Sequence, residues 1–425
     1  MESDPNARVE LVTIGTELLL GFTLDSNSAF VGQALADAGI RVVRRTSVAD
    51  EERDIVSAVR EALDRTRFVI TSGGLGPTHD DITKRAIAEM FGVPLRFDPE
   101  LWDGLVARFA RMGRRLAERN RCQAEIPEGA TILPNPRGTA PGLWLRGDLG
   151  EVVLLPGVPA EFRGLVSEEV IPRLIARGSG RVVRSLLVRT TGIPESTLAE
   201  RVAPLDAELG PLTFASLPGL EGVDLRLSAW DLAPSEADRL LARHAERIAA
   251  VAGDHVYGTG DVDLAGRFLG ECEARGLTVA IAESCTGGML GTRLTEIPGS
   301  SAVFVGGVVA YANRVKEELG VPSRILMSAG AVSEETAVAM AQAARNRFGT
   351  DLAMAITGIA GPGGGSAEKP VGLVWLAVGD RSGTEAHRVV FPGSRHDVRS
   401  RACQYALWRA WLRVRTAGKK PGEGI

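Results

Sequence analysis

Cysteine and histidine are both scarce in this 425-residue chain, at four and five residues. Cys122, Cys272, Cys285 and Cys403 are scattered, with neither CxxC nor metal-finger spacing. That excludes a zinc-finger or disulfide-framework reading and fits a reducing cytoplasm. Long apolar runs are also missing: none approaches the length of about 20 residues that crosses a bilayer, and no signal peptide is expected. Excess charge is the third absence. Lys and Arg total 49 against 53 Asp and Glu, a formal charge of −4, which leaves no electrostatic footprint for nucleic acid. The class expected is a soluble cytoplasmic enzyme acting on small molecules, with neither membrane nor nucleic acid as partner. Length alone suggests about three domains.

What is present is most informative at Ala282-Glu283-Ser284-Cys285-Thr286-Gly287-Gly288. An apolar run, Leu277 to Ile281, reads as a buried strand before it, and Met289 to Thr295 reads as a helix after it. A serine at such a turn lies beside free N–H groups and the positive end of the helix dipole. A nucleophile and the oxyanion it generates are well stabilised there. Gly287 and Gly288 permit a tight turn and close approach of a substrate.

The serine needs a base. Val308 to Lys316 reads as a strand ending at Tyr311, with Asn313 placed to cap the helix that carries Lys316. A buried lysine gives up its proton readily, so a Ser284/Lys316 pair, with Tyr311 as relay or orienter, activates a hydroxyl without histidine. The residues alone also permit a plainer account, in which Ser284 caps a helix and Lys316 lies on a solvated face. Cys285 offers a rival thiol nucleophile, but no histidine lies near it in sequence.

The first part of the chain alternates. Strands are expected at Val9–Ile14, Arg41–Val48 and Phe68–Thr71. Helices are expected at Ser26–Ala38 (capped by Asp25), Glu51–Leu63 and about Asp80–Met90. This rhythm argues for a parallel sheet with helices on both faces, whose ligands bind beyond the C-terminal strand ends. The loops Gly15-Thr16-Glu17 and Ser72 to Asp81 fall there. Gly73, Gly74 and Gly76 offer backbone N–H groups to a phosphate, and Asp80, Asp81 and Lys84 follow. A divalent cation takes one or two protein carboxylates plus substrate phosphates. The plainer account is a helix start decorated with acids. The arginine-rich run Arg108–Arg119 reads as a solvated helix face, with a substrate phosphate as an alternative use.

Residues 179–258 read as a small β-α-β-α module. Gly219-Leu220-Glu221-Gly222 copies the GxxG loop of KH domains, but with an acid where a basic residue would meet a phosphate backbone. A spacer or dimer-forming role suits it better than RNA binding. Strand–helix alternation resumes near Asp261. Thr357-Gly358-Ile359-Ala360-Gly361-Pro362 follows an expected strand, Asp351–Ile356. Arg395 and Arg399, near the start of the last helix, suit a phosphate in fork geometry or are solvated. The tail from Thr416 reads as disordered.

The Ala282–Gly288 block, then Tyr311-x-Asn313-x-x-Lys316, Gly330-Ala331-Val332-Ser333 and Thr357 to Pro362, resembles the C-terminal domain of the CinA family over residues 262–415. That resemblance implies a PncC-type deamidase, which hydrolyses nicotinamide mononucleotide to nicotinic acid mononucleotide and ammonia in pyridine nucleotide salvage. Carried over by motif, Ser284 is the nucleophile, Lys316 its base and Tyr311 the group beside them. Thr286, Gly287, Gly288, Ser333, Thr357, Gly358, Arg395 and Arg399 are then substrate contacts, and no cofactor is expected.

The pattern GGxGxxxDDxT, with Gly15 to Leu18, Asp25-Ser26-Asn27 and Leu155 to Pro159, resembles the molybdopterin-binding-like N-terminal domain of the same family over residues 1–175. The Gly138 to Gly142 element tilts the implied ligand from pterin to ADP-ribose. This implies a metal-dependent ADP-ribose pyrophosphatase. Its candidate metal contacts are Glu17, Asp25, Asp80 and Asp81, and its candidate substrate contacts are Asn27, Gly73, Gly74, Gly76 and Lys84. The expected architecture is a three-layer α/β/α domain, a small α+β KH-like module and an α/β/α deamidase domain, in a homodimer. The alternative is a molybdopterin-binding or competence-linked interaction protein with vestigial sites.

Overall fold

The computed structural model describes residues 8–176 and 182–416. The start of the expected middle module at 179 and the expected tail after Thr416 lie outside these residues. Thr416 itself ends a helix. The chain forms two compact units, Met1–Ser185 with Ser228–Leu240, and Leu186–Leu227 with Leu241–Ile425.

The first unit holds strands β1 (Arg8–Ile14), β2 (Arg41–Val48), β3 (Phe68–Ser72), β4 (Leu95–Phe97), β5 (Glu125–Pro127), β6 (Thr131–Leu133), β7 (Gly142–Gly147) and β8 (Gly150–Leu155). The main sheet has the order β2-β1-β3-β8-β7-β6. β2, β1, β3 and β8 are parallel, and β7 pairs antiparallel with both β8 and β6. The three strands expected at Val9–Ile14, Arg41–Val48 and Phe68–Thr71 are parallel as expected, and the sheet extends further into β7 and β6, where the two-residue turn between β7 and β8 permits only an antiparallel pair. Alternate residues of β1 enter two cores. Val9 and Leu11 pack with Val31, Leu35 and Phe162, while Val12 and Ile14 pack with Ile55, Val59 and Ile87. A strand buried on both faces makes this a three-layer domain.

Two local expectations change. The helix after the glycine loop is Thr83–Met90, so Asp80 and Asp81 sit in the turn before it. The helix Pro99–Arg111 stops inside the arginine-rich run, and Glu118–Ala124 forms a separate 3-10 stretch. Arg108 donates to the carbonyls of Asn135 and Gly138, so it is a brace within the domain instead of a solvated residue.

The middle segment carries β9 (Val182–Thr190), helix Glu195–Asp206, β10 (Leu212–Pro218), β11 (Val223–Leu232), helix Pro234–Ala252 and β12 (Val256–Thr259). Its sheet order is β10-β11-β9-β12. The expected β-α-β-α pattern thus gains two short strands, which lack the clear alternation that marks β11.

The C-terminal domain has β13 (Val279–Glu283), β14 (Phe304–Val309), β15 (Leu352–Gly358), β16 (Leu373–Asp380) and β17 (Gly383–Val390), in the order β14-β13-β15-β16-β17. β13, β14 and β15 are parallel, and β16 pairs antiparallel with both β15 and β17, so this sheet too is mixed. One face packs Val279, Ile281, Met354 and Ile356 against helices Leu264–Ala274 and Arg395–Thr416. The other presents Ala282, Ala353, Ala355 and Ala377 to Ala337, Met340, Ala341 and Ala344 of helix Glu334–Phe348. Small side chains on both surfaces let helix and sheet approach closely, which is dense packing without bulk.

Candidate active site

Ser284 follows the last residue of β13, and its amide donates to Ile356 O of β15 at 2.9 Å. This puts the serine at the C-terminal edge of the sheet, where open α/β sheets hold ligands. Lys316 reaches the same point from helix Asn313–Leu319. Its Nζ lies 3.1 Å from Ser284 Oγ, 2.8 Å from Ala310 O and 3.0 Å from Tyr311 O. Lys316 is 1% exposed and Ser284 8%. Burial lowers the lysine pKa, and the nearby Cys285 acts weakly in the other direction. Burial also drives the Cys285 thiol up to about 12, so Cys285 is a poor thiolate.

Tyr311 lies beyond β14 instead of ending it, and it is 57% exposed. Its carbonyl meets Lys316, while its hydroxyl accepts from Arg395 Nη2 at 2.8 Å. The hydroxyl is therefore not interposed between serine and lysine. Asn313 is the first helical residue and Ala312 the cap, with no side-chain capping bond, which corrects the expected cap.

The helix dipole is also arranged differently from expectation. Glu283, 1% exposed, accepts from the amides of Gly288, Leu290 and Gly291 at 2.9 to 3.1 Å. Its carboxylate occupies the N-terminus of helix Met289–Thr295, so those amides are not available to a substrate. Among the described residues the amides still without a partner beside Ser284 are those of Cys285 and Thr286. Sequence reasoning missed Glu283 in this role. The available signal was an acid at the end of an apolar strand, immediately before a glycine turn.

Gly287 and Gly288 have φ of 57° and 95°, a left-handed region that favours glycine. Thr286 is fully buried and its Oγ1 has no partner. Arg399 donates through Nε and Nη2 to Thr286 O at 3.2 and 2.6 Å, and Arg395 Nη1 donates to Gly361 O at 2.7 Å. The other expected contacts serve the scaffold. Ser333 caps helix Glu334–Phe348 by accepting from Thr336 N, and Thr357 Oγ1 donates to Ala331 O at 2.7 Å. Gly358 makes room for β16, since a Cβ there would come within 2.7 Å of Leu373 O.

In the first unit a cleft opens at the C-terminal ends of β1, β3 and β8. Ile14, Glu17, Asp25, Asn27, Ser72 and Gly157 line it. Asn27 donates to Ser72 Oγ and Gly157 O at 3.0 and 2.8 Å, while its buried Oδ1 has no partner. Asp25 caps helix Ser26–Asp37 through Ser28 N at 2.9 Å. Asp80 and Asp81 lie outside the cleft lining. Asp81 accepts from Thr78 N at 2.7 Å, and the Thr78 hydroxyl holds the exposed Asp80 carboxyl below its ordinary range. The four candidate carboxylates therefore do not converge. Among the described residues no group of three or more His, Cys, Asp or Glu is placed to hold a metal. Gly73 and Gly74 have φ of 113° and 69°, and a Cβ on Gly74 would strike Thr83 Oγ1. Gly76 sits similarly against Asp81, and Lys84, its pKa lowered by burial, donates to Cys122 O.

Three family models match the chain: the CinA C-terminal domain over residues 262–413, a probable molybdopterin binding domain over 10–176, and the damage-inducible protein CinA KH domain over 185–258. A CinA-like protein of Gemmatimonas aurantiaca is 51% identical over 94% of this chain and 95% of its own length. A putative competence-damage inducible protein of Desulforudis audaxviator is 43% identical over 92% and 95%. The crystal structure of competence/damage inducible protein CihA from Agrobacterium tumefaciens is 45% identical, covering 36% of this chain and 93% of that one, with a TM-score of 0.35. Fold and motifs define a molybdopterin-binding-like domain joined through a KH-like module to a C-terminal α/β domain. The chain belongs to the CinA family.

No helix of the described residues is long and apolar enough to cross a membrane.

Proposed function

We propose that the C-terminal domain hydrolyses the amide of nicotinamide mononucleotide, with Ser284 as nucleophile and neutral Lys316 as its base. The observation that carries this is the lysine amine, buried and 3.1 Å from Ser284 Oγ. In the neutral state its two N–H bonds go to Ala310 O and Tyr311 O, which leaves the lone pair for the serine hydroxyl. Ser284 Oγ attacks the carboxamide carbon as its proton moves to Lys316. The Cys285 and Thr286 amides are the donors free to meet the oxyanion. Lys316 returns the proton to the departing ammonia, leaving an ester on Ser284. Water then attacks that ester, Lys316 takes its proton, and the nicotinic acid mononucleotide leaves as the serine is restored. Arg395 and Arg399 frame the entrance and suit the 5′-phosphate. Purified protein given nicotinamide mononucleotide should release ammonia and nicotinic acid mononucleotide in equal amounts. Recovery of unchanged substrate contradicts the assignment.

For the N-terminal cleft we propose metal-dependent cleavage of the ADP-ribose pyrophosphate, as the resemblance implies. Support comes from the donor set. Glu17, the unpartnered Asn27 Oδ1 and the partly committed Asp25 are hard oxygen donors in one cleft. Such a set suits a divalent cation held largely by ligand phosphates. The cation would neutralise charge on the leaving phosphate, while Asn27 and the Gly73–Gly74 turn would bind and orient the nucleotide. A homodimer and a cytoplasmic location belong to the same proposal.

A further inference from the structure

The loop Gly219–Gly222 joins β10 to β11, and its acid is held by two arginines. Arg189 Nη2 lies 3.5 Å from Glu221 Oε2, and Arg293 Nη1 lies 3.2 Å from Glu221 Oε1. All three residues belong to one compact unit. Arg293 sits on helix Met289–Thr295, the helix that follows the Ser284 turn, with its side chain only 14% exposed. Its Nη2 donates to Asp263 Oδ2 and its Nη1 to Gln404 Oε1, each at 2.7 Å. Asp263 in turn caps helix Leu264–Ala274. One guanidinium therefore ties together the middle-module loop, a cap, the helix after the nucleophile and the last helix.

Both sides of the Ser284 turn lead back to this point. On one side, Glu283 clasps the first amides of helix Met289–Thr295. On the other, the last helix carries Gln404 and also Arg399, which donates to Thr286 O. We propose that Glu221 is a positioning residue for the deamidase site. Through Arg293, the middle module's GxxG loop fixes helix Met289–Thr295 and so holds the Ser284 hydroxyl against Lys316. The loop's acid is paired with two arginines of the same unit. The inference rests on the deamidase reading of Ser284.

A second contact keeps the module in place when Glu221 is altered. Trp408 Nε1 donates to Asp254 O at 2.9 Å, and the His255 ring stacks on Trp408 at 5.2 Å. Gly192 lies so close to Trp408 that a Cβ there would come within 2.5 Å. Glu221→Gln should therefore fold.

The test is made on the full chain with Glu221→Gln and Glu221→Asp. Two readouts are needed: kcat and KM for nicotinamide mononucleotide, and hydrogen exchange at the Gly288, Leu290 and Gly291 amides. Glu221→Gln should lower kcat about three- to tenfold, since small misplacements of a nucleophile are costly, with KM held within about twofold. The three amides should exchange faster, and Glu221→Asp should recover part of both effects. An unchanged kcat overturns the proposal, whatever happens to thermal stability or exchange, and so does a change confined to KM. If wild-type protein releases no ammonia, the deamidase reading fails. Faster exchange in Glu221→Gln would still show the mechanical link, and unchanged exchange would overturn it.

Discussion

A buried amine with three hydrogen-bond partners has two states to choose between, and burial shifts the balance for Lys316 toward the neutral one relative to a free lysine. As ammonium it would donate to Ser284 Oγ, Ala310 O and Tyr311 O; as amine it donates to the two carbonyls and accepts from the serine. Desolvation penalises the charged form and lowers the pKa. The sign for activity follows: the base is functional when deprotonated, so kcat/KM should rise with pH and level off well below the free lysine value of about 10.4. Lys316→Arg should lose about a thousandfold or more in turnover, because arginine stays protonated at any workable pH. A pH–rate profile of the wild type, with ammonia release by the arginine variant, checks both. An active arginine variant would mean that the site needs only a positive charge.

At the scale of elements, the turn Ser284–Gly288 depends on Glu283. A carboxylate with 1% exposure that accepts three amides is a charge-assisted cap in a protected place. Glu283→Ala should cost about 2 kcal/mol or more in denaturant unfolding, because buried amides lose a charged acceptor. A cost below about 0.5 kcal/mol, in the range of an ordinary surface change, would count against this role. This element also shows what the sequence could convey. The helix Met289–Thr295 and the Asp25 cap of helix Ser26–Asp37 are local, and hydrophobic period plus a capping residue made them readable. The pairing of Lys316 with Ser284 spans 32 residues; the residue types permitted it beside a plainer account, and the family motif decided between the two. Arg293 with Glu221 and Asp263 was not readable at all, since no local pattern records which distant partner a long side chain will reach. The sense of β7 and β16 was not readable for the same reason: each looks like any buried strand, and only the connection decides it. Asp80 and Asp81 fall outside the cleft that Glu17 and Asp25 line, and they precede their helix instead of opening it.

At the scale of the whole molecule, two sites of different chemistry lie at the C-terminal ends of two separate sheets. One places the Lys316 amine beside the Ser284 hydroxyl. The other is a cleft lined by Glu17, Asp25 and Asn27, for which a cation is proposed. They should respond differently to chelation of the full-length protein. Removing divalent cations should abolish cleavage of ADP-ribose and leave ammonia release within about twofold of its starting value, since a Ser/Lys pair makes its nucleophile without a metal-lowered water pKa. Loss of both activities would show that the deamidase is metal-assisted or that the sites are coupled. The most direct measurement is ammonia release from nicotinamide mononucleotide by Ser284→Ala, alongside the wild type. The variant should fold, because the serine hydroxyl contributes one hydrogen bond, about 1 kcal/mol. Its turnover should drop by about three orders of magnitude or more, as loss of a covalent nucleophile does. Ammonia release at near wild-type rate would contradict the assignment of Ser284 as nucleophile.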